Sequence, residues 1–141
     1  MTTEIPVNLT IPYFAVRCND VMSLAEMAAK VSNAIGCRLA EGEYHKLLGA
    51  RGILLGMDVG LYEWGGVRGR TFRFEGEVES SSFVDFMRDK LVHVNALDLS
   101  QVVVDVLTVE TGTSWRIPTA EDLAAEKTYG DELERRFASE P

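Results

Sequence analysis

The apolar positions change period several times along the chain. Tyr13, Phe14, Ala15 and Val16 form a β-favouring run that predicts a strand over about residues 12–18, with Pro12 at its start, where a missing N–H costs least. From Leu24 the spacing lengthens. Leu24, Met27, Ala28, Val31, Ala34 and Ile35 recur at intervals of three and four, the stripe of a helix packed on a sheet. Ser23-Leu24-Ala25-Glu26 is a capping box at its start, and Gly36 is a left-handed stop at its end. Residues 38–56 show no such period; Gly42, Gly49, Gly52 and Gly56 punctuate them, and residues 44–48 fit either a short strand or one helical turn.

Beyond residue 56 the period becomes two. Met57, Val59 and Leu61 alternate with Asp58, Gly60 and Tyr62, and Phe72, Phe74 and Val78 alternate with Thr71, Arg73, Glu75 and Glu77. The glycine-rich stretch 65–69 lies between them, so the two runs predict a β-hairpin with one buried and one wet face. A second helix is expected from Ser82, with Phe83, Phe86, Met87, Leu91 and Val94 as its stripe. Val102–Val109 is a nearly continuous β-branched run with one charge, Asp105, which predicts an interior strand. Thr119 with Asp122 three residues on predicts a last helix carrying Leu123, Leu133 and Phe137, with Gly130 as a candidate break.

In order this is β-α-β-β-α-β plus a terminal helix. The expected class is α+β: a split β-α-β, ferredoxin-like fold with a four-stranded antiparallel sheet, two helices on one face and a C-terminal helix. An extra strand from residues 38–56 is the main alternative. The 141 residues, 46% hydrophobic and 26% charged, suit one globular domain over residues 1–141. No linker or internal repeat divides them.

Charge narrows the function. Twenty-two acidic against 14 basic side chains give a formal net charge of −8. Residues 1–70 carry seven of each sign, whereas residues 71–141 carry 15 acidic and seven basic. The imbalance argues against nucleic-acid binding and against docking on an anionic membrane. No apolar stretch reaches the length of a membrane span. The first residues lack the basic and apolar regions of an export signal, so the cytoplasm is the expected compartment.

Catalytic chemistry finds little support. His45 and His93 are the only histidines, and Cys18 and Cys37 the only cysteines, with no metal-ligand spacing among them. His93 falls toward the end of the second expected helix, where an imidazole meets terminal carbonyls. Ser23 and Ser82 are accounted for by capping, and the two cysteines by burial. The 65–69 glycines join two strands, whereas a phosphate loop joins a strand to a helix. Residues 68–74 have a passing likeness to the aromatic strand of RNA-recognition modules, but Phe72 and Phe74 fall on the helix-covered face and Glu75, Glu77 and Glu79 would repel phosphate. No catalytic residue, metal or cofactor is therefore expected.

What remains is the wet face of the hairpin, carrying Tyr62, Trp64, Arg73, Glu75 and Glu77. Aromatic and Arg side chains ringed by carboxylates are the composition of a protein-binding patch. The competing account is that the last helix or a loop covers Tyr62 and Trp64. The same exposed face leaves a homodimer open alongside a monomer.

The run Tyr13-Phe14-Ala15-Val16-Arg17, the helix closing in Ile35-Gly36-Cys37, the stretch Leu54–Tyr62 and the Phe72-Arg73-Phe74 strand together resemble small bacterial immunity proteins that neutralise a cognate toxin. That resemblance implies a cytoplasmic inhibitor, acidic because many such toxins are basic nucleases, with the acidic second half steering association. The alternative is a small-molecule-binding regulatory or enzymatic domain of ferredoxin-like type, its pocket lined by residues 38–56 and His45.

Overall fold

Alternation of side chains across strands governs most of the architecture. The computed structural model describes residues 7–44, 47–66, 69–78 and 92–138. In chain order these form β1 (Val7–Asn19), α1 (Leu24–Ile35), β2 (Ala40–Tyr44), β3 (Leu47–Leu54), β4 (Met57–Gly66), β5 (Gly69–Glu77), β6 (Val92–Asp98), α2 (Ser100–Thr111), β7 (Trp115–Arg116) and α3 (Ala120–Ala138). The strands join in one sheet of order β2-β3-β4-β5-β1-β6, with β7 also paired to β1. All pairs are antiparallel except β1 with β6.

The class is α+β, but the sheet has seven strands among the described residues and is not the four-stranded ferredoxin-like arrangement. Two features enlarge it. Residues 38–56 supply the hairpin β2–β3, and β1 runs for 13 residues, so one end pairs with β6 while the other pairs with β5 and β7. The β3–β4 turn is only two residues long, Leu55 and Gly56, both at positive φ (50° and 81°). That is the backbone of a type I′ hairpin turn.

The inner face of the sheet is the core. Phe14, Val16 and Cys18 of β1 alternate inward and meet Phe72, Phe74, Val59 and Leu61, with the Phe14 and Phe74 rings 5.0 Å apart. Met27, Ala28 and Val31 of α1 and Leu107 of α2 close this layer. The α1 capping box forms on its N-terminal side, where the Ser23 hydroxyl accepts from the Glu26 amide at 3.2 Å, and Gly36 ends the helix at φ 66°.

In the second half one expectation fails outright and another fails only at its end. Val102–Val109 is not an interior strand but the body of α2. Ser100, Val103, Val104, Leu107 and Thr111 lie at helical spacing toward the core, and the Asp98 carboxylate accepts from the Ser100 amide at 2.9 Å to start the first turn. Tertiary packing has overridden the β preference of valine. The second expected helix falls largely on residues outside those described, and its final residues, 92–94, belong to β6, so His93 is not at a helix end. The last helix does form. Thr119 and Asp122 cap it reciprocally, amide to side chain at 2.9 and 3.1 Å, and Gly130 does not break it.

Candidate functional site

Side chains that point away from the core on β1, β4 and β5 form an outer face. In register across it run Asn19, Thr71 and Trp64; then Arg17, Arg73 and Tyr62; then Ala15, Glu75 and Gly60; then Tyr13, Glu77 and Asp58. α3 crosses this face and divides it into a covered and an open half.

Trp64 anchors the covered half. Its indole N–H donates to the Glu126 carbonyl at 3.3 Å, its ring meets Tyr129 edge-on with centroids 5.2 Å apart, and the Arg73 guanidinium sits 4.7 Å from its centroid. Beneath the helix Arg17, which is fully buried, makes a two-point pair with Glu126, Nε to Oε2 at 2.7 Å and Nη2 to Oε1 at 2.9 Å. Arg17 also reaches Glu75 at 3.4 Å, while Arg73 reaches Glu75 at 2.7 Å and Glu126 at 3.6 Å. Each arginine thus meets each glutamate, a closed set of four charges that sums to zero. Asp122 and Glu126 are two of the three buried side chains of α3, with Leu133 the third, so the helix is held mainly by polar contacts.

The start of α3 is fastened in the same way. Arg116 of β7 donates to both oxygens of Asp122, at 3.0 and 2.6 Å. This hydrogen-bonded pair, with the Thr119 amide, holds the Asp122 carboxyl down to about 2 despite its burial and raises Arg116. The hydroxyl and amide of Ser100 likewise lower Asp98. Burial raises the Cys18 thiol, which suits an inert core residue rather than a nucleophile.

The open half is a shallow concavity of about 630 Å³, lined by Tyr13, Ala15, Arg51, Asp58, Gly60, Tyr62, Glu75 and Glu77 among others. Tyr62 lies flat across it. A Cβ at Gly49 or Gly60 would stand 2.5 or 2.7 Å from the Tyr62 ring, so these glycines make room for it. The Arg51 Nε–H donates to the Tyr62 hydroxyl, which occupies the one cation on this surface among the described lining residues. Asp58 and Glu77 stand directly opposite each other on β4 and β5. Among the described residues neither has an ion pair, and like charges so placed are mutually destabilising.

The five residues singled out in the sequence are therefore on one face, as strand parity requires, but in two settings. Tyr62, Glu75 and Glu77 border the concavity, whereas Trp64 and Arg73 lie against α3. Covering by the last helix is thus realised for Trp64. Asp58, Tyr13, Arg17 and Glu126 complete the arrangement and were not singled out. Alternation of Tyr13, Ala15 and Arg17 with Phe14, Val16 and Cys18 was the available signal for β1, and parity with Tyr62 was the signal for Asp58. His45 lies outside the described residues.

No set of three or more His, Cys, Asp or Glu side chains suited to a metal ion occurs among the described residues. Among those residues, too, no helix is long and apolar enough to cross a membrane. No protein-family model, curated protein or solved structure matches the chain.

Proposed function

We propose that this chain is a non-enzymatic protein-binding domain that acts, in the manner of an immunity protein, as the inhibitor of a basic toxin. The observation that carries the reading is the open half of the outer face. Two tyrosines flank three carboxylates there, and Asp58 and Glu77 face each other with no ion pair among the described residues. A pair that costs the fold a fraction of a kcal/mol is accounted for if an incoming Lys or Arg offsets it. The excess of acidic residues after position 70 adds a long-range field that would speed association with a cationic partner.

A small-molecule site is the second reading. The concavity of about 630 Å³ falls within the size range of ligand pockets, and Arg51 and Gly52 from the 38–56 region line it. Such pockets are mostly apolar, however, and this one is rimmed by charge, which favours a protein surface as its occupant.

Calorimetry against the proteins encoded beside its gene tests the proposal. A basic partner that binds at nanomolar to micromolar affinity and loses activity on binding supports it. Absence of any such partner, together with thermal stabilisation by a metabolite, overturns it in favour of the second reading.

A further inference from the structure

The core-facing side of α2 is complete without three of its five valines. Ser100, Val103, Val104, Leu107 and Thr111 make the inner stripe. The opposite side carries Val102, Val106 and Val109, at spacings of four and three, exposed to 60%, 39% and 78%. A single exposed valine is ordinary, but three in one helical stripe form an apolar ridge that no described residue covers.

The charges beside the ridge say what fits it. The 12 residues of α2 include no basic side chain and two acidic ones, Asp105 and Glu110. At 3.6 residues per turn, Asp105 falls roughly 70° to one side of the ridge and Glu110 roughly 70° to the other. On α2 itself both borders are therefore acidic. A second copy of α2 laid along the ridge would bring carboxylates against carboxylates in either direction, and an anionic lipid surface would meet the same repulsion. A segment with an apolar centre line and Lys or Arg on both sides meets none of it.

We propose that the Val102–Val106–Val109 face of α2 is a docking surface for a basic amphipathic helix of another protein. This surface lies on the α1–α2 side of the sheet, opposite the concavity bordered by Asp58 and Glu77. It does not depend on the toxin-inhibitor reading, and substitutions on the two sides separate the two proposals.

The full chain can be titrated with a synthetic amphipathic helix bearing leucines at positions i, i+4 and i+7, bordered by lysines, and with the same peptide carrying glutamates instead. Binding of the lysine peptide alone is expected. Its Kd should rise at least tenfold in Val106→Ser/Val109→Ser and in Asp105→Lys/Glu110→Lys, and stay within twofold in Asp58→Asn. The exposed positions of the substituted residues keep the fold intact, which circular dichroism of each variant checks. Equal binding of the two peptides, undiminished binding in the α2 variants, or loss confined to Asp58→Asn overturns the proposal. So does self-association of the unmodified chain by light scattering that Val106→Ser abolishes, or binding to phosphatidylserine vesicles, because each would install a different occupant.

Discussion

Arg17 of β1 and Glu126 of α3, 109 positions apart in the chain, meet in a buried two-point ion pair at 2.7 and 2.9 Å. Arg17 is 1% exposed and Glu126 6%. This contact ties the last helix to the middle of the sheet, and the helix in turn determines which half of the outer face stays open. Burying two charges gains little over an apolar pair of the same shape, but leaving one alone costs several kcal/mol.

Glu126→Ala should therefore destabilise the chain by roughly 3 kcal/mol, because the buried Arg17 charge keeps only the longer ion pair with Glu75 and its bond to the Val16 carbonyl. The double variant Arg17→Met/Glu126→Leu should recover most of that loss. Urea denaturation of the two variants measures both effects. A double variant as unstable as the single one would show that the pair contributes net stability rather than orientation.

Trp64→Ala removes the ring that Tyr129 and Arg73 flank and the indole bond to the Glu126 carbonyl. The core on the other side of the sheet, built on Phe72, Phe74 and Leu61, is untouched. The expected outcome is a loss of about 2 kcal/mol with the strand signal in circular dichroism retained. Amide-exchange protection should fall selectively over residues 120–138. Global unfolding would mean that the two faces of the sheet are one cooperative layer.

Asp122 gives a pH dependence with a definite sign. Its carboxyl lies at about 2 in the folded chain against an ordinary 3.8, so the unfolded state binds the proton more readily. The stability it contributes is complete above pH 4 and is lost as the pH falls from about 4 through about 2. The amount is about 2 kcal/mol. Asp122→Asn should be less stable than the parent at neutral pH, and the difference should shrink across that acid window. A gap that is constant from pH 6 to pH 2 would rule out the charged pair with Arg116 as the cause.

Leu55 holds a left-handed conformation that suits Asn or Gly, with its side chain 88% exposed. Leu55→Asn should raise stability by about 1 kcal/mol, because the short amide side chain of Asn tolerates the left-handed region and makes a better type I′ turn. A higher urea midpoint at unchanged slope is the expected observation.

Strand parity carried the sequence reading furthest. The alternation from Met57 to Val78 correctly separates Phe72 and Phe74 from Arg73, Glu75 and Glu77, because a pleated strand leaves no other choice. The reading failed where composition and burial point in different directions. Valine at 102, 103, 104, 106 and 109 looks like an interior strand, yet only 103 and 104 turn toward the core, together with Leu107. Residues 38–56 were opaque for another reason: Gly49 and Gly52 are set by close approach of Tyr62, Arg38 and Cys37, contacts that no local pattern encodes. The landing place of α3 was equally hidden, since its Arg17–Glu126 tie spans most of the chain.

Asp58 offers the most discriminating test, because fold and function should respond with opposite sign. Asp58→Asn removes the like-charge opposition with Glu77, and the folded chain should gain a few tenths of a kcal/mol. If the concavity receives a basic partner, the same change should slow association at low salt, and the deficit should narrow as added salt shortens the Debye length. Glu77→Gln should reproduce both effects, since either substitution leaves one carboxylate. Chemical denaturation and stopped-flow association at two salt concentrations read the two signs independently. A substitution that lowers stability would mean that the opposed carboxylates are compensated within the fold, and the argument that a partner's cation belongs between them would fail.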